Sequence, residues 1–368
     1  MSNRIKVLQC ISSTGFYGAD SWVWALGNQL DRNIVRNDLL VTTEENAKDL
    51  EVSAQFRRQC GEVFELHLKH KLDFLVLRGI VKLIKERKID IIHTHNYKSD
   101  LLGLLAARIT GIKCLITPHG YDDPENTKLR FYNSIDKRIL RYADALAPLS
   151  PQLLEECDKA NVEKTKIRFI QNGVDLTEVD AIRNSVSKSE SETKKIGYIG
   201  QFISRKNIYD IIDIFKRLCD IMPKLELYLI GDGEERGNLE KYADGNTKIK
   251  FLGFRSDRLE LLRQLDLFLM TSKLEGIPRC LMEASAMGVP IAAYNIPGVD
   301  KLIAHGETGL LADYKDLQQM VEHSKCLLTN ISLRNRIISN ARANIEKNFS
   351  SKRMASEYID LYQSLVNA

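Results

Sequence analysis

The stretch EGIPRCLMEASAMGVP, residues 275–290, sets Glu275 ahead of a Gly-Ile-Pro turn and Glu283 inside the segment that follows, with Gly288 and Pro290 closing it. Just before it runs LDLFLMTS (265–272), an apolar run of strand length. Glu275 therefore falls in a loop at the C-terminal end of a strand. Pro278 suits the first turn of a helix, where its missing N–H is not needed. The unpaired N–H groups near Arg279, Cys280 and Leu281 then face the same side as the loop and favour a phosphate. Glu283 lies just over one turn further on. Two acceptor groups flanking such a helix end suit a ligand with hydroxyls on both sides of a diphosphate, and a nucleotide sugar is that kind of ligand. Taken alone, the same residues also read as an ordinary helix start with one capping and one solvated acid.

Outward from this stretch the chain alternates short apolar runs with segments of helical period. KIGYIG, LELYLIG, IKFLGF and VPIAAYN read as strands around it, with helices near 206–219, 234–242, 256–264 and 278–287. The first half repeats the pattern. RIKVLQCIS, NDLLVTT, IDIIHTH, KCLITPHG, DALAPLS and IRFIQNG read as strands, and a helix is expected around Ser21–Leu30. Alternating β and α units argue for parallel sheets covered by helices on both faces. The polar run RNSVSKSESETKK reads as a linker. The expected organisation is an α/β chain of two Rossmann-like domains: 1–182, a linker at 183–195, then 196–350, with a final helical segment 351–368. Ligands of such sheets sit at the C-terminal ends of the strands, so a cleft between the domains is the expected site.

Composition narrows the class. A chain of 368 residues with 44% hydrophobic content buries a large core, and two domains suit that length. Seven scattered cysteines, odd in number and without a C-x-x-C pair, read as free thiols of a reducing compartment. MSNRIKVLQCISS has no long apolar core of a signal peptide, and no apolar run reaches membrane-spanning length, so a cytoplasmic protein is expected. Net charge is +4, but from Arg57 to Arg141 there are 17 Lys/Arg against ten Asp/Glu. That excess reads either as a solvated basic face or as contact with an acidic surface such as anionic lipid at the inner face of a membrane. Nucleic acid is not expected, because no aromatic-studded basic groove or reader motif is present.

The ordered set EGIPRCLME, GVP and GETGLL, preceded by GFYGADS (15–21), IIHTHN (91–96), TPHGYD (117–122), NGVD (172–175), GYIGQFISRKN (197–207) and LIGDGEE (229–235), resembles the retaining glycosyltransferases of the GT4 family, which have the GT-B fold. The resemblance covers nearly the whole chain. It implies transfer of a sugar from a nucleotide sugar, with UDP preferred, to a glycan or lipid-linked acceptor in cell-surface polysaccharide synthesis. It also implies that the final helix crosses back onto the first domain.

Residue by residue, the resemblance implies that Glu275 hydrogen-bonds the donor sugar and Glu283 the ribose. Gly276, Ile277, Pro278, Arg279, Cys280 and Leu281 form the donor-binding segment between them. Lys206 matches the lysine that neutralises the diphosphate, a task suited to a flexible point charge. The family arginine that follows the preceding glycine is replaced by Gln201 after Gly200, and Arg205 is the neighbouring residue that could supply its charge. Gly15 and Gly18 lie in a turn that brings backbone close to the donor. Here Tyr17 stands where the family has a second adjacent glycine, and Asp20 stands for its glutamate. His119 faces the donor sugar near the reacting carbon. His93 and His95 share one side of their strand end, and lining of the acceptor pocket is expected of them. Retaining enzymes of this kind show no clear protein nucleophile, and the leaving diphosphate helps deprotonate the acceptor.

No D-x-D triplet occurs, and the histidines lack H-x-x-x-H or H-x-x-E spacing, so no metal and no other cofactor are expected. LIGDGEERG has the spacing G-x-G-x-x-x-G, one residue longer than a dinucleotide loop. Two rival readings stand at this point: a nucleotide-sugar epimerase of related fold, and a binding protein that no longer turns over.

Overall fold

The computed structural model of the chain describes residues 4–13, 18–44, 50–68, 74–119, 137–189 and 191–368. Two compact units emerge. Unit 1 is Met1–Asn172 with Ser351–Ala368, and unit 2 is Gly173–Ser350.

Unit 1 runs β1 (Ile5–Ser12), α1 (Gly18–Gln29), β2 (Val35–Glu44), α2 (Glu51–Gln59), β3 (Val63–Leu68), α3 (Phe74–Arg87), β4 (Ile91–Thr94), α4 (Tyr97–Thr110), β5 (Lys113–Ile116), β6 (Ala145–Leu146) and α5 (Pro151–Lys159). Unit 2 follows with α6 (Leu176–Ser185), β7 (Lys194–Ile199), α7 (Ile208–Ile221), β8 (Leu225–Ile230), α8 (Arg236–Tyr242), β9 (Ile249–Gly253), α9 (Arg258–Arg263), β10 (Leu267–Met270), α10 (Arg279–Met287), β11 (Ile291–Tyr294), β12 (Leu310–Ala312), α11 (Leu317–Thr329) and α12 (Ile331–Asn348). The last helix, α13 (Ser351–Asn367), belongs to unit 1.

Among the described residues, each unit holds one six-stranded sheet with all pairs parallel, in the orders β3-β2-β1-β4-β5-β6 and β12-β11-β10-β7-β8-β9. Both are the same doubly wound order, which reverses direction beside its first strand. The reversal lies between β1 and β4 in unit 1 and between β7 and β10 in unit 2. That crevice at the strand C-termini is where such sheets bind ligands. This is the GT-B architecture of two Rossmann-like units.

Strand composition follows from burial on both faces. Val7, Leu8, Cys10 and Ile11 of β1 are all essentially inaccessible, so the strand reads as a nearly continuous apolar run. α7 buries Ile208, Ile211, Ile212, Phe215 and Leu218 at helical spacing and keeps its charges on the other side. α10 is buried from Leu281 through Met287 because it packs on both α6 and α12 as well as the sheet.

Three expectations are corrected. IRFIQNG is not a strand: its sheet-like contact is a single bridge, Leu146 to Ile167, beside the two-residue edge strand β6. The unit boundary lies after Asn172 rather than at 182, because α6 packs on α9 and α10. The polar run 183–195 therefore starts inside α6 and ends inside β7 rather than linking domains. Its polarity marks exposure, not a boundary.

α13 covers one face of the unit 1 sheet. Met354, Ala355, Tyr358, Leu361, Tyr362 and Leu365 lie on one side of it and pack with α1 and β1 in one apolar cluster. Among the described residues, no helix is long and apolar enough to cross a membrane. Truncating Tyr358, fully buried and bonded at 3.0 Å to Thr117, should cost about 3–5 kcal/mol. Urea unfolding of Tyr358→Ala should therefore show a lowered midpoint for unit 1, and an unchanged midpoint would contradict this packing.

Candidate functional site

In unit 2 the loops after β7 and β10 meet at the reversal point. Lys206 closes a short 3-10 turn, Ser204–Lys206, after β7, and Asn207 follows in the left-handed region at φ 50°. The two loops are joined by backbone and side chain. Lys273 N donates to Arg205 O at 2.8 Å, and Thr271 Oγ1 donates to Asn207 O at 2.8 Å. Across this seam Lys206 Nζ donates to Glu275 Oε1 at 2.5 Å, with both side chains largely withdrawn from solvent. The lysine expected at the diphosphate and the glutamate expected at the sugar thus lie side by side.

Gly298 explains why that loop is held where it is. It sits at φ 92°, and a Cβ there would stand 1.7 Å from Gly276 O and 2.6 Å from Glu275 O. The Ile-Pro-Gly turn presses directly on the backbone that carries Glu275.

Pro278 is the N-cap of α10 rather than a residue of its first turn, at φ −70° and ψ 120°. Leu281 N and Met282 N both reach Pro278 O at 3.2 Å. Leu281 N–H, expected at a phosphate, is therefore turned inward. The first-turn amides of Arg279 and Cys280 have no helical acceptor available. The Cys280 thiol is pushed up to about 12, chiefly by burial, so it stays protonated. Ile277 and Leu281 are buried and contribute packing. Gly276 is exposed on the same loop.

Glu283 is 3% exposed, and its Oε1 accepts from Arg258 at 3.0 Å and from Arg279 at 2.9 Å. Burial alone would raise its carboxyl, but the two guanidinium groups outweigh that and hold it below the ordinary value. It is thus a charged carboxylate in a buried place. Nearby Glu178, 3.9 Å from Arg258, is shifted upward by desolvation. Arg258 escaped sequence reasoning because it lies on α9, with no motif tying it to Glu283. Arg205 is half-buried, and the Lys273 N–H bond to its carbonyl puts it beside the same loop. Gln201 is exposed.

In unit 1 the corresponding strand ends carry His93, His95 and His119. His93 Nδ1 pairs with Tyr362 Oη at 2.8 Å and Nε2 with Thr117 Oγ1 at 2.7 Å. His95 Nε2 pairs with Gln9 Oε1 at 2.6 Å and Nδ1 with His119 Nε2 at 3.2 Å. Both His93 and His95 are fully buried, so the expectation that they line an acceptor pocket is corrected. The face they share is the one covered by α1, through Trp22, and by α13, through Tyr358 and Tyr362. Only His119 of the three is partly open. Among the described residues, a cavity of about 190 Å³ at these strand ends is lined by Ser12, Thr42, Asn96, Tyr97 and Lys98, the last three directly following His95 in the chain. Gly18 opens α1, and a Cβ there would meet nothing within 4 Å, so packing does not demand glycine. Gly15 and Tyr17 lie outside the described residues.

A larger cavity, about 710 Å³, lies elsewhere in unit 2, lined by Lys188, Lys194, Arg263, Asp266 and Arg334. It opens at the N-terminal ends of β7 and β10, the wrong edge for a switch-point ligand. Among the described residues, no group of three or more histidine, cysteine or acidic side chains is placed to hold a metal ion.

Two family models match the chain, and they meet at 178–180, a few residues beyond the boundary between the units. Residues 17–178 match the family described as Glycosyltransferase Family 4, and residues 180–344 match Glycosyl transferases group 1. A relative from Escherichia coli, UDP-Gal:alpha-D-GlcNAc-diphosphoundecaprenol alpha-1,3-galactosyltransferase, is 29% identical over 316 residues, which span 80% of each chain. N-acetyl-alpha-D-glucosaminyl L-malate synthase of Bacillus anthracis is 25% identical over 305 residues, again 80% of each. Among solved structures, Anabaena Alr3699/HepE in complex with UDP superposes with a TM-score of 0.79 at 20% identity, covering 98% of this chain and 100% of that one.

Replacing Gly298 should displace the Glu275 loop. The left-handed backbone alone costs an L-residue about 1–2 kcal/mol, and the overlap with Gly276 O adds to it. Gly298→Ala should lower stability in urea by at least that much and shift the Glu275 and Gly276 amide resonances. Unmoved resonances would show that the turn does not hold the loop.

Proposed function

This chain belongs to the GT4-type glycosyltransferases, and from that premise we propose that it moves a sugar, with retention of anomeric configuration, from a UDP-sugar to a lipid-linked glycan acceptor. The observation that carries the reading is the Lys206–Glu275 pair at the reversal point of unit 2, beside the open amides of α10.

In the proposed reaction the bond between the anomeric carbon and the diphosphate oxygen breaks, and the electron pair leaves with the nucleoside diphosphate. An acceptor hydroxyl bonds to the same face of that carbon, and its proton passes to the leaving diphosphate. Charge therefore grows on phosphate oxygens. Lys206, the amides of Arg279 and Cys280, and Arg205 in place of the family arginine at Gln201, oppose that charge from fixed positions. Glu275 holds the sugar hydroxyls. Glu283, kept ionised by Arg258 and Arg279, accepts from the ribose. His119 faces the transferred sugar, and the cavity beside Asn96, Tyr97 and Lys98 receives the acceptor. No metal or other cofactor takes part on this reading.

The lipid-linked acceptor places the reaction at a membrane surface, on the cytoplasmic side. α3 supports this: Phe74 and Leu75 are 83% and 69% exposed, and Arg78 and Lys85 are exposed on the same helix, while Lys82 is paired with Glu86 at 3.7 Å. Apolar side chains beside cations favour an anionic bilayer. Arg57, Arg87 and Lys137 of the basic segment are instead paired with Glu65, Glu62 and Glu156.

The direct test is incubation with UDP-sugars and an undecaprenyl-diphosphate-linked sugar, with the product's anomeric configuration read by NMR. An α-linked product formed equally well in EDTA is expected. Release of an altered nucleotide sugar without acceptor would instead indicate an epimerase, and binding without turnover a receptor. Inversion at the anomeric carbon would overturn the mechanism.

The two glutamates separate in a second experiment. A hydrogen bond to a charged group is worth about 1.5–3 kcal/mol, so Glu283→Gln should weaken UDP binding by about tenfold or more. Glu275→Gln should leave UDP affinity nearly intact and lower turnover by a similar factor. Calorimetry with UDP checks both, and unchanged affinity in Glu283→Gln would remove the ribose assignment.

A further inference from the structure

Unit 1 contains a buried polar chain of which the proposed reaction uses only the last member, His119. Gln9, on β1, is inaccessible to solvent. Its side-chain nitrogen donates to Asn37 Oδ1 at 2.9 Å and to Tyr362 Oη at 3.1 Å. Both amide hydrogens are thereby committed, and Oε1 is left solely as an acceptor. That oxygen lies 2.6 Å from His95 Nε2, so His95 carries its proton there. A neutral imidazole protonated at Nε2 has its lone pair at Nδ1. His95 Nδ1 must therefore accept, and the atom 3.2 Å from it is His119 Nε2. His119 donates from Nε2, and its own lone pair falls on Nδ1.

Ring orientation is fixed by packing. The Trp22 indole contacts all three histidine rings, with centroids 6.0, 5.2 and 5.0 Å from His93, His95 and His119. Desolvation keeps the rings neutral: His119 is pushed down to about 3, and His93 and His95 well below their ordinary value. A carboxylate in place of Gln9 would select the same tautomer but would also favour the imidazolium. The uncharged amide selects the tautomer without doing so.

We propose that Gln9 and His95 are positioning residues that hold His119 as its Nε2–H tautomer and present its bare Nδ1 as a hydrogen-bond acceptor to one hydroxyl of the transferred sugar. This rests on the reading of His119 as facing that sugar. The arrangement makes the site selective for a sugar that keeps this hydroxyl, because an analogue lacking it covers the acceptor and leaves it unpaired. Tyr362, through Gln9, makes the C-terminal helix part of the same proton order.

Two-bond proton–nitrogen correlation spectra of the 15N-histidine-labelled full chain, without any sugar, should show His119 as Nε2–H, unchanged between about pH 6 and about pH 8. Gln9→Leu should mix the tautomers and lower kcat by about tenfold, while UDP affinity stays within about twofold. His95→Leu should do the same. His95→Asn, which keeps an acceptor oxygen near the place of Nδ1, should recover most of the rate. If the leucine variants fail to fold, Gln9→Glu keeps the acceptor, and it should retain the tautomer while the His95 resonances begin to titrate near neutral pH. An Nδ1–H His119 in the parent protein would overturn the inference and leave the transferase reading standing. Unchanged tautomer and kcat in both leucine variants would do so too. The expected tautomer in a parent protein that transfers no sugar at all would overturn the functional reading, and the sugar-facing half of this inference with it.

Discussion

The ion pair between Lys206 and Glu275 is the constraint around which unit 2 is arranged. Taking two charges out of water is expensive, and their mutual attraction alone often does not offset that loss. A lone pair of this kind therefore needs support, and the surrounding chain supplies it. The Lys273–Arg205 and Thr271–Asn207 bonds stitch the two loops together, and Gly298 fills the space behind Gly276 without a side chain. Each partner is held by a loop emerging from a strand on either side of the sheet's reversal. The pair is thus a product of topology: it exists because β7 and β10 are neighbours in space and not in sequence.

Much of this was legible in the order of residues, and the legible part has a physical reason. The EGIP turn, the helix through Glu283 and the Gly288 stop are local signals, each decided within a few residues, and α10 ends at Gly288 with φ 81°. Lys206 and Glu275 are short-loop residues whose distance from their strands is set by chain length alone. Parallel strands with both faces buried also announce themselves as apolar runs. The Arg258–Glu283 contact did not, because it joins helices 25 positions apart with no shared motif.

Unit 1 was harder to read for a related reason. Alternation along β4 correctly puts His93 and His95 on one side, but it does not say what lies over that side. The answer is α13, and His93 meets Tyr362 across 269 positions of sequence. A histidine beside open solvent and one beneath a distant helix look identical within their own strand. IRFIQNG failed in the opposite way: its residues suit a strand, but β6 at the sheet edge is too short to pair with it.

The return of α13 to unit 1 also bears on how the chain is made. Domains of a nascent chain usually fold in the order they leave the ribosome. Here the cover for Trp22, His93 and Thr117 comes from α13, which follows the whole of unit 2. At about 5–20 residues per second, the first unit waits some tens of seconds with one sheet face only partly covered, by α1 and α2. During that interval the nascent chain presents an apolar surface with buried-type histidines to whatever chaperone attends it. A chain cut short just after unit 2 would leave a finished second unit attached to a first that never closes.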